Sequence, residues 1–251
     1  MRAWKGILSR TGAPQYPTLI EPLDGYLFGC HKGELLVVGG RPSMGKTALT
    51  ILMAHGLSTH SVVLYYSLEM SREQIIEREI ARLARIDNQE LRRGDKALGG
   101  RSDVVKGVAL EYDECRLYVV DDSGYYVQQI INHVDALRPA FVFVDYIQLM
   151  PCLPGVKRHE MIAEILQGLK AVSKTLSCGI VVVSQINREG QLKSSGSLEE
   201  VADAVIEVKW TGRYNMDTPN DYEVIVSKQR HGPCGILRMK YFPEYYSFSE
   251  R

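Results

Sequence analysis

The sequence predicts an α/β fold: a mostly parallel, doubly wound sheet with an antiparallel extension at its C-terminal end. Three observations carry that prediction. From Glu34 onward, short apolar segments alternate with amphipathic ones, the pattern of strands joined by crossover helices. Five of the apolar segments are nearly continuous and rich in β-branched residues, as strands buried on both faces are. After Asp203 the pattern turns to alternating strands separated by Gly212, Pro219, Gly232, Pro233 and Gly235, which reads as an antiparallel meander continuing the sheet.

Taken in order, residues 1–33 carry Gly12, Pro14, Pro17, Pro22, Gly25, Gly29 and Gly33. They predict a lead-in arm of turns with one short helix, packed on something else, ahead of a single domain over 34–251. The doubly wound part is expected to use strands Leu35 to Gly39, Val62 to Ser67, Arg116 to Val120, Phe141 to Asp145 and Ile180 to Ser184. A helix from Lys46 to about His55 follows the first strand. The clearest helix spans Glu160 to Leu176, where Ile162, Ile165, Leu166, Leu169, Val172 and Leu176 recur at helical spacing and predict a core-facing stripe. The extension is expected to comprise Ala204 to Trp210, Tyr222 to Lys228, Ile236 to Tyr241 and Tyr245 to Phe248.

Composition narrows the class without choosing a function. Lys plus Arg and Asp plus Glu both number 30, so attraction to nucleic acid must come from a local patch. The five cysteines are scattered without a Cys-x-x-Cys pair, which argues against a disulfide framework or a zinc site and points to a reducing cytoplasm. No signal peptide is legible, and no run approaches the roughly 20 apolar residues that cross a bilayer.

The chemistry concentrates at strand ends. Gly40-Arg41-Pro42-Ser43-Met44-Gly45-Lys46-Thr47 follows an apolar strand and opens a helix. A glycine-rich turn there presents backbone N–H groups to nucleotide phosphates, and the helix adds its positive end. Gly40, Ser43, Met44, Gly45, Lys46, Thr47 and Ala48 are the candidate nucleotide-binding residues. Lys46 would reach the β and γ phosphates and Thr47 would place its hydroxyl on Mg²⁺. Asp145 ends an apolar strand at the edge where such sheets bind ligands, as a magnesium anchor or as a strand-terminal cap. Glu69 also follows a strand, either to deprotonate an attacking water or simply to begin a helix with Ser71 and Glu73. Gln185 ends a strand as a γ-phosphate sensor or a surface turn. Lys228 and Arg230 lie two apart at a strand end, as cationic fingers for a neighbouring subunit or as solvated surface. His159-Glu160-Met161-Ile162-Ala163 lacks the second histidine of a zinc-protease helix. Tyr245 and Tyr246 could line a nucleotide base, with core packing as the competing role.

Five motifs in this order resemble the DnaB-type replicative helicases and their RecA-like motor domain. They are the Gly40 to Thr47 loop, Ser67-Leu68-Glu69-Met70, Asp145-Tyr146-Ile147-Gln148-Leu149-Met150, Ser184-Gln185-Ile186-Asn187-Arg188 and Lys228-Gln229-Arg230-His231-Gly232-Pro233. The resemblance runs from about Gly12 to Phe248. It implies a homohexameric ring that hydrolyses ATP with Mg²⁺ at subunit interfaces and moves along single-stranded DNA, with a primase or helicase loader as further partners. It implies Lys46, Thr47 and Asp145 as phosphate and magnesium residues and Glu69 as catalytic base. Gln185 would couple hydrolysis to a DNA loop, and Lys228 and Arg230 would be donated in trans.

Two departures stand beside it. Family members usually carry an amino-terminal helical domain, whereas here the motor starts almost at once, as expected of either a minimal motor or a fragment; Met1 to about Arg10 would be a linker helix docked on the adjacent subunit. The segment between Arg188 and Ser197 is short and lacks an aromatic residue, so Lys193, Ser195 and Gly196 would track the DNA backbone without base preference. The competing functional readings are a RecA-like regulatory or recombination ATPase that binds nucleotide and DNA without unwinding, and a nucleotide-binding module with vestigial hydrolysis.

Overall fold

The computed structural model describes residues 16–122, 124–151, 155–186 and 200–250. Within them, one sheet contains β1 (Leu35–Gly40), β2 (Val63–Ser67), β3 (Leu117–Val120), β4 (Phe141–Asp145), β5 (Gly179–Gln185), β6 (Ala204–Lys209), β7 (Asp221–Gln229), β8 (Gly235–Phe242) and β9 (Ser247–Glu250). The strand order is β3-β2-β4-β5-β1-β6-β7-β8-β9. The first six in that order run parallel. The last three add an antiparallel meander. The phosphate-loop strand β1 therefore sits between β5 and β6, and its carboxyl end opens at the middle of the sheet.

The helices are α1 (Glu21–Leu27), α2 (Lys46–Ser58), α3 (Arg72–Ala84), α4 (Asn88–Arg93), α5 (Asp95–Leu98), α6 (Ser102–Asp113), α7 (Val127–Leu137) and α8 (Arg158–Leu176). They divide the core in two, as successive side chains of a strand point to opposite faces. On one face Val38, Tyr65 and Phe143 pack with Leu49, Met53 and Leu57 of α2 and with Ile75 of α3. On the other, Val37, Val142 and Val182 pack with Ile130 and Val134 of α7 and with Ile162, Leu166 and Leu169 of α8. The predicted stripe on α8 is thus its buried face.

Two expectations need correction. The strand at Arg116 to Val120 is the outer edge of the sheet, with Tyr118 exposed, and is not buried on both faces. An edge position leaves one ladder side unpaired: Leu117 and Val119 pack on the α2 core, while on the other face only Val120 packs, and in part. The arm from Tyr16 packs on the chain's own sheet and not on something else: Ile20, Leu23, Leu27 and Cys30 join the α2 core. Its helix α1 is fixed by Asp24, whose carboxylate accepts from the Thr18 backbone N–H at 2.9 and 3.0 Å. Met1 to Arg10 lies outside the described residues.

Candidate nucleotide site

The chain leaves β1 at Gly40 and enters α2 at Lys46, and two glycines allow the turn between them. A Cβ on Gly40 would stand 2.8 Å from Val208 Cγ2 and 3.0 Å from its carbonyl oxygen, so the loop can pass β6 only without a side chain. Gly45 caps α2 at φ 79°, a left-handed conformation that glycine adopts freely. The first turn of α2 carries no acidic residue, so its positive end stays available to an anion.

Lys46 bends back over this loop. Its Nζ donates to the Arg41 carbonyl at 2.8 Å while the residue is only 7% exposed. Burial pushes the ammonium below its ordinary pKa, opposed by the Asp145 and Glu69 carboxylates. Asp145 ends β4, beside β2 and β5. It accepts from the Tyr65 hydroxyl at 2.9 Å and shares a side-chain hydrogen bond with Thr47. Burial raises its pKa, the Thr47 and Tyr65 hydrogen bonds and Lys46 pull it back, and Glu69 adds to the rise.

Glu69 stands in the bend after β2. Helix α3 begins later, at Arg72, capped by Ser71: the Ser71 hydroxyl accepts from Gln74 N–H, and the Gln74 side chain accepts from Ser71 N–H. Glu69 therefore lies outside the helix, exposed, on the wall of the same pocket as Lys46. Gln185 ends β5 in register with Gly40. Its backbone N–H donates to Gln148 Oε1 at 3.2 Å, and Gln148 Nε2 donates to Ser184 Oγ at 2.8 Å. A hydrogen bond also joins the Gln185 side chain to the Tyr146 hydroxyl.

Ser43, Gly45, Lys46, Thr47, Ala48, Glu69, Asp145 and Gln185 line one cavity of about 460 Å³. Gly40 and Met44 belong to the loop behind it. Sequence reasoning assigned no role to Gln74, Arg78, Tyr146 or Gln148. Gln148 and Tyr146 were legible as motif letters but not as the groups that hold Gln185. Of the tyrosine pair, Tyr245 stacks on Phe242, with ring centroids 5.7 Å apart, while Tyr246 packs against the α2 core and enters the cavity wall with the Arg78 guanidinium 4.9 Å from its ring centroid.

Lys228 and Arg230 are elsewhere. Gly40 is in register with Val208, and Val208 with Val224, whereas Lys228 is in register with Val205. The pair thus lies four residues or more down β7 from the level of the loop, roughly 13 Å at about 3.3 Å per residue, toward the opposite edge of the sheet. Lys228 Nζ donates to the Ala202 carbonyl at 2.7 Å. Arg230, one residue past the strand and exposed, donates from Nη2 to the Glu200 carbonyl at 2.9 Å and faces Asp203 at 3.6 Å. Lys193, Ser195 and Gly196 lie outside the described residues.

A model of the DnaB-like helicase C terminal domain family matches residues 16–250. The replicative DNA helicase DnaB of Pasteurella multocida (strain Pm70) is 31% identical over 269 residues, covering 96% of this chain and 57% of that protein. The probable plasmid replicative DNA helicase of Chlamydia trachomatis is 30% identical over 253 residues, covering 93% of this chain and 54% of its own length. The chain therefore spans a little over half of these curated relatives. The solved structure named "ATPase Domain of G40P" superposes with a TM-score of 0.92 at 25% identity, covering 99% of this chain and 95% of that one. A second, named "The Structure Of A DnaB-Like Replicative Helicase And Its Interactions With Primase", gives the same TM-score and identity over 99% of this chain and 66% of that one.

Proposed function

This chain belongs to the DnaB-like helicase C terminal domain family, and from that premise we propose that it is an ATP-driven DNA helicase motor. It hydrolyses ATP with Mg²⁺ and translocates on single-stranded DNA as a homohexameric ring in the cytoplasm. Residues 34–251 form the motor and 1–33 its lead-in. The observation that carries this reading is the convergence of Lys46, Thr47, Glu69, Asp145 and Gln185 on one cavity at the carboxyl edge of the sheet, with Lys228 and Arg230 toward the other edge.

The side chains divide the work. The loop from Gly40 to Gly45 offers N–H groups to the phosphates, and Lys46, released from the Arg41 carbonyl, places its charge on the β and γ phosphates. Its low solvation strengthens that attraction. Thr47 and Asp145, already hydrogen bonded to each other, fit a hard cation and would hold Mg²⁺. When bound, Mg²⁺ neutralises phosphate charge and orients the terminal phosphoryl group. Glu69 accepts the proton of the attacking water, and Gln185, steadied by Gln148 and Tyr146, senses the terminal phosphate. Arg78 and Tyr246 form a stacked pair at the cavity wall suited to a purine face. Lys228 and Arg230 reach the cavity of the next subunit, and Lys193, Ser195 and Gly196 hold the DNA backbone. One structural relative is named for its interactions with primase, which supports a primase or loader as a further partner.

The test is phosphate release with and without single-stranded DNA, together with unwinding of a forked duplex. The wild-type chain should show DNA-stimulated release and ATP-dependent unwinding. Glu69→Gln should bind nucleotide as the wild type does and lose turnover by about 10²-fold or more. DNA-stimulated hydrolysis without unwinding, in the longest chain that contains this domain, would point to a non-unwinding RecA-like ATPase instead.

A further inference from the structure

Two side chains outside every sequence motif grip the phosphate loop from behind. Arg213, in the turn Thr211–Tyr214, donates from Nη1 to the Ser43 carbonyl at 2.7 Å and faces the Pro42 carbonyl at 3.5 Å. Tyr222, at the start of β7, donates its hydroxyl to the Met44 carbonyl at 3.0 Å. Neither lines the nucleotide cavity. In a trans peptide the carbonyl and the following N–H point in opposite directions. A Ser43 carbonyl drawn toward Arg213 therefore turns the Met44 N–H the other way, and a Met44 carbonyl drawn toward Tyr222 does the same to the Gly45 N–H.

We infer that Arg213 and Tyr222 are positioning residues for phosphate binding, holding consecutive loop carbonyls outward so that the Met44 and Gly45 N–H groups face the nucleotide. The inference rests on the nucleotide reading of this loop. Ser43 needs such support, since its φ of 60° is uncommon for a residue with a Cβ and persists where the surroundings hold it.

Both braces are themselves fixed in place. The Arg213 guanidinium stands 5.7 Å from the Trp210 ring and 5.4 Å from the Tyr214 ring. The Trp210 indole N–H donates to the Pro219 carbonyl at 2.7 Å. Gly212 lets this turn close, because a Cβ there would lie 2.1 Å from the Thr218 carbonyl oxygen. Tyr222 is 1% exposed, with the rings of Tyr241 and Phe248 at 5.5 and 5.2 Å. Its hydroxyl reaches the loop from a rigid aromatic layer, so little ordering remains to be done when phosphate arrives.

The experiment is titration of the full chain with MgADP, alongside thermal melting with and without it, for the wild type, Lys46→Ala, Arg213→Gln, Arg213→Lys and Tyr222→Phe. Removing one brace should weaken MgADP by about three- to tenfold, the worth of one hydrogen bond. Arg213→Gln should lower the melting temperature of the nucleotide-free protein by a few degrees at most and shrink the shift that MgADP produces. Arg213→Lys should fall between Arg213→Gln and the wild type, because both Arg213 contacts come from one nitrogen and an ammonium keeps a donor while losing the rigid placement of the guanidinium. Wild-type affinity in both Arg213→Gln and Tyr222→Phe would overturn the inference. A Tyr222→Phe variant that melts lower by the same amount with and without MgADP would reduce Tyr222 to core packing. Lys46→Ala separates the two levels: MgADP binding unchanged there would remove the nucleotide reading itself.

Discussion

Glu79 shows how much a single side chain can hold. It is 1% exposed, receives Arg82 through Nε and Nη2 at 2.8 Å each, and faces His55 Nδ1 at 3.1 Å. Burial by itself would raise its pKa, but the Arg82 and His55 hydrogen bonds overcome it and hold the carboxyl below its ordinary value of 4.5. A depressed carboxyl stabilises the fold fully above that value, and the contribution is lost as pH falls from 4.5 through the lower folded value. Urea unfolding should therefore show stability declining below about pH 4.5. Glu79→Gln should cost about 3–5 kcal/mol at neutral pH, because it leaves Arg82 without its charge partner, and should flatten this acid limb. Gly40 acts by having no side chain at all. Gly40→Ala should abolish MgADP binding in a titration, since its Cβ must displace Val208 or the loop itself.

At the scale of elements, the start of α3 is built next to Glu69. The Ser71 and Gln74 capping box ends the bend that carries Glu69, so Ser71→Ala should lower stability by about 1 kcal/mol in denaturant unfolding. It should also reduce the rate of ATP turnover more than nucleotide affinity. The central strands were legible because each is a short β-branched run with no polar interruption, and β4 has the bounds expected of it, Phe141 to Asp145. The edge position of β3 was not legible, since strand order depends on which neighbours pair across the chain. The site divides in the same way. Gly40 to Thr47 and Asp145 announce themselves because residue type and strand-end position coincide in one local stretch. Arg78, Arg213 and Tyr222 do not: each reaches the cavity or its loop from another segment, and nothing around them in sequence marks that reach.

For the whole molecule, the governing fact is that the proposed site is split along β7. Lys228 and Arg230 lie four residues or more from the level of their own phosphate loop, held by the carbonyls of Ala202 and Glu200. On the proposed reading, mixtures of Lys46→Ala and Arg230→Ala chains should regain phosphate release that neither variant shows alone, because some junctions join an intact loop to an intact pair. A mixture as inactive as its components would remove Arg230 from a role in trans. The same offset along one strand also bears on kinetics. On that reading an isolated copy would take up nucleotide yet lack the cations that complete the reaction, so dilution should act as an inhibitor. Rate per molecule would climb steeply with protein concentration and level off once neighbours are in place, so stray single copies would leave nucleotide intact.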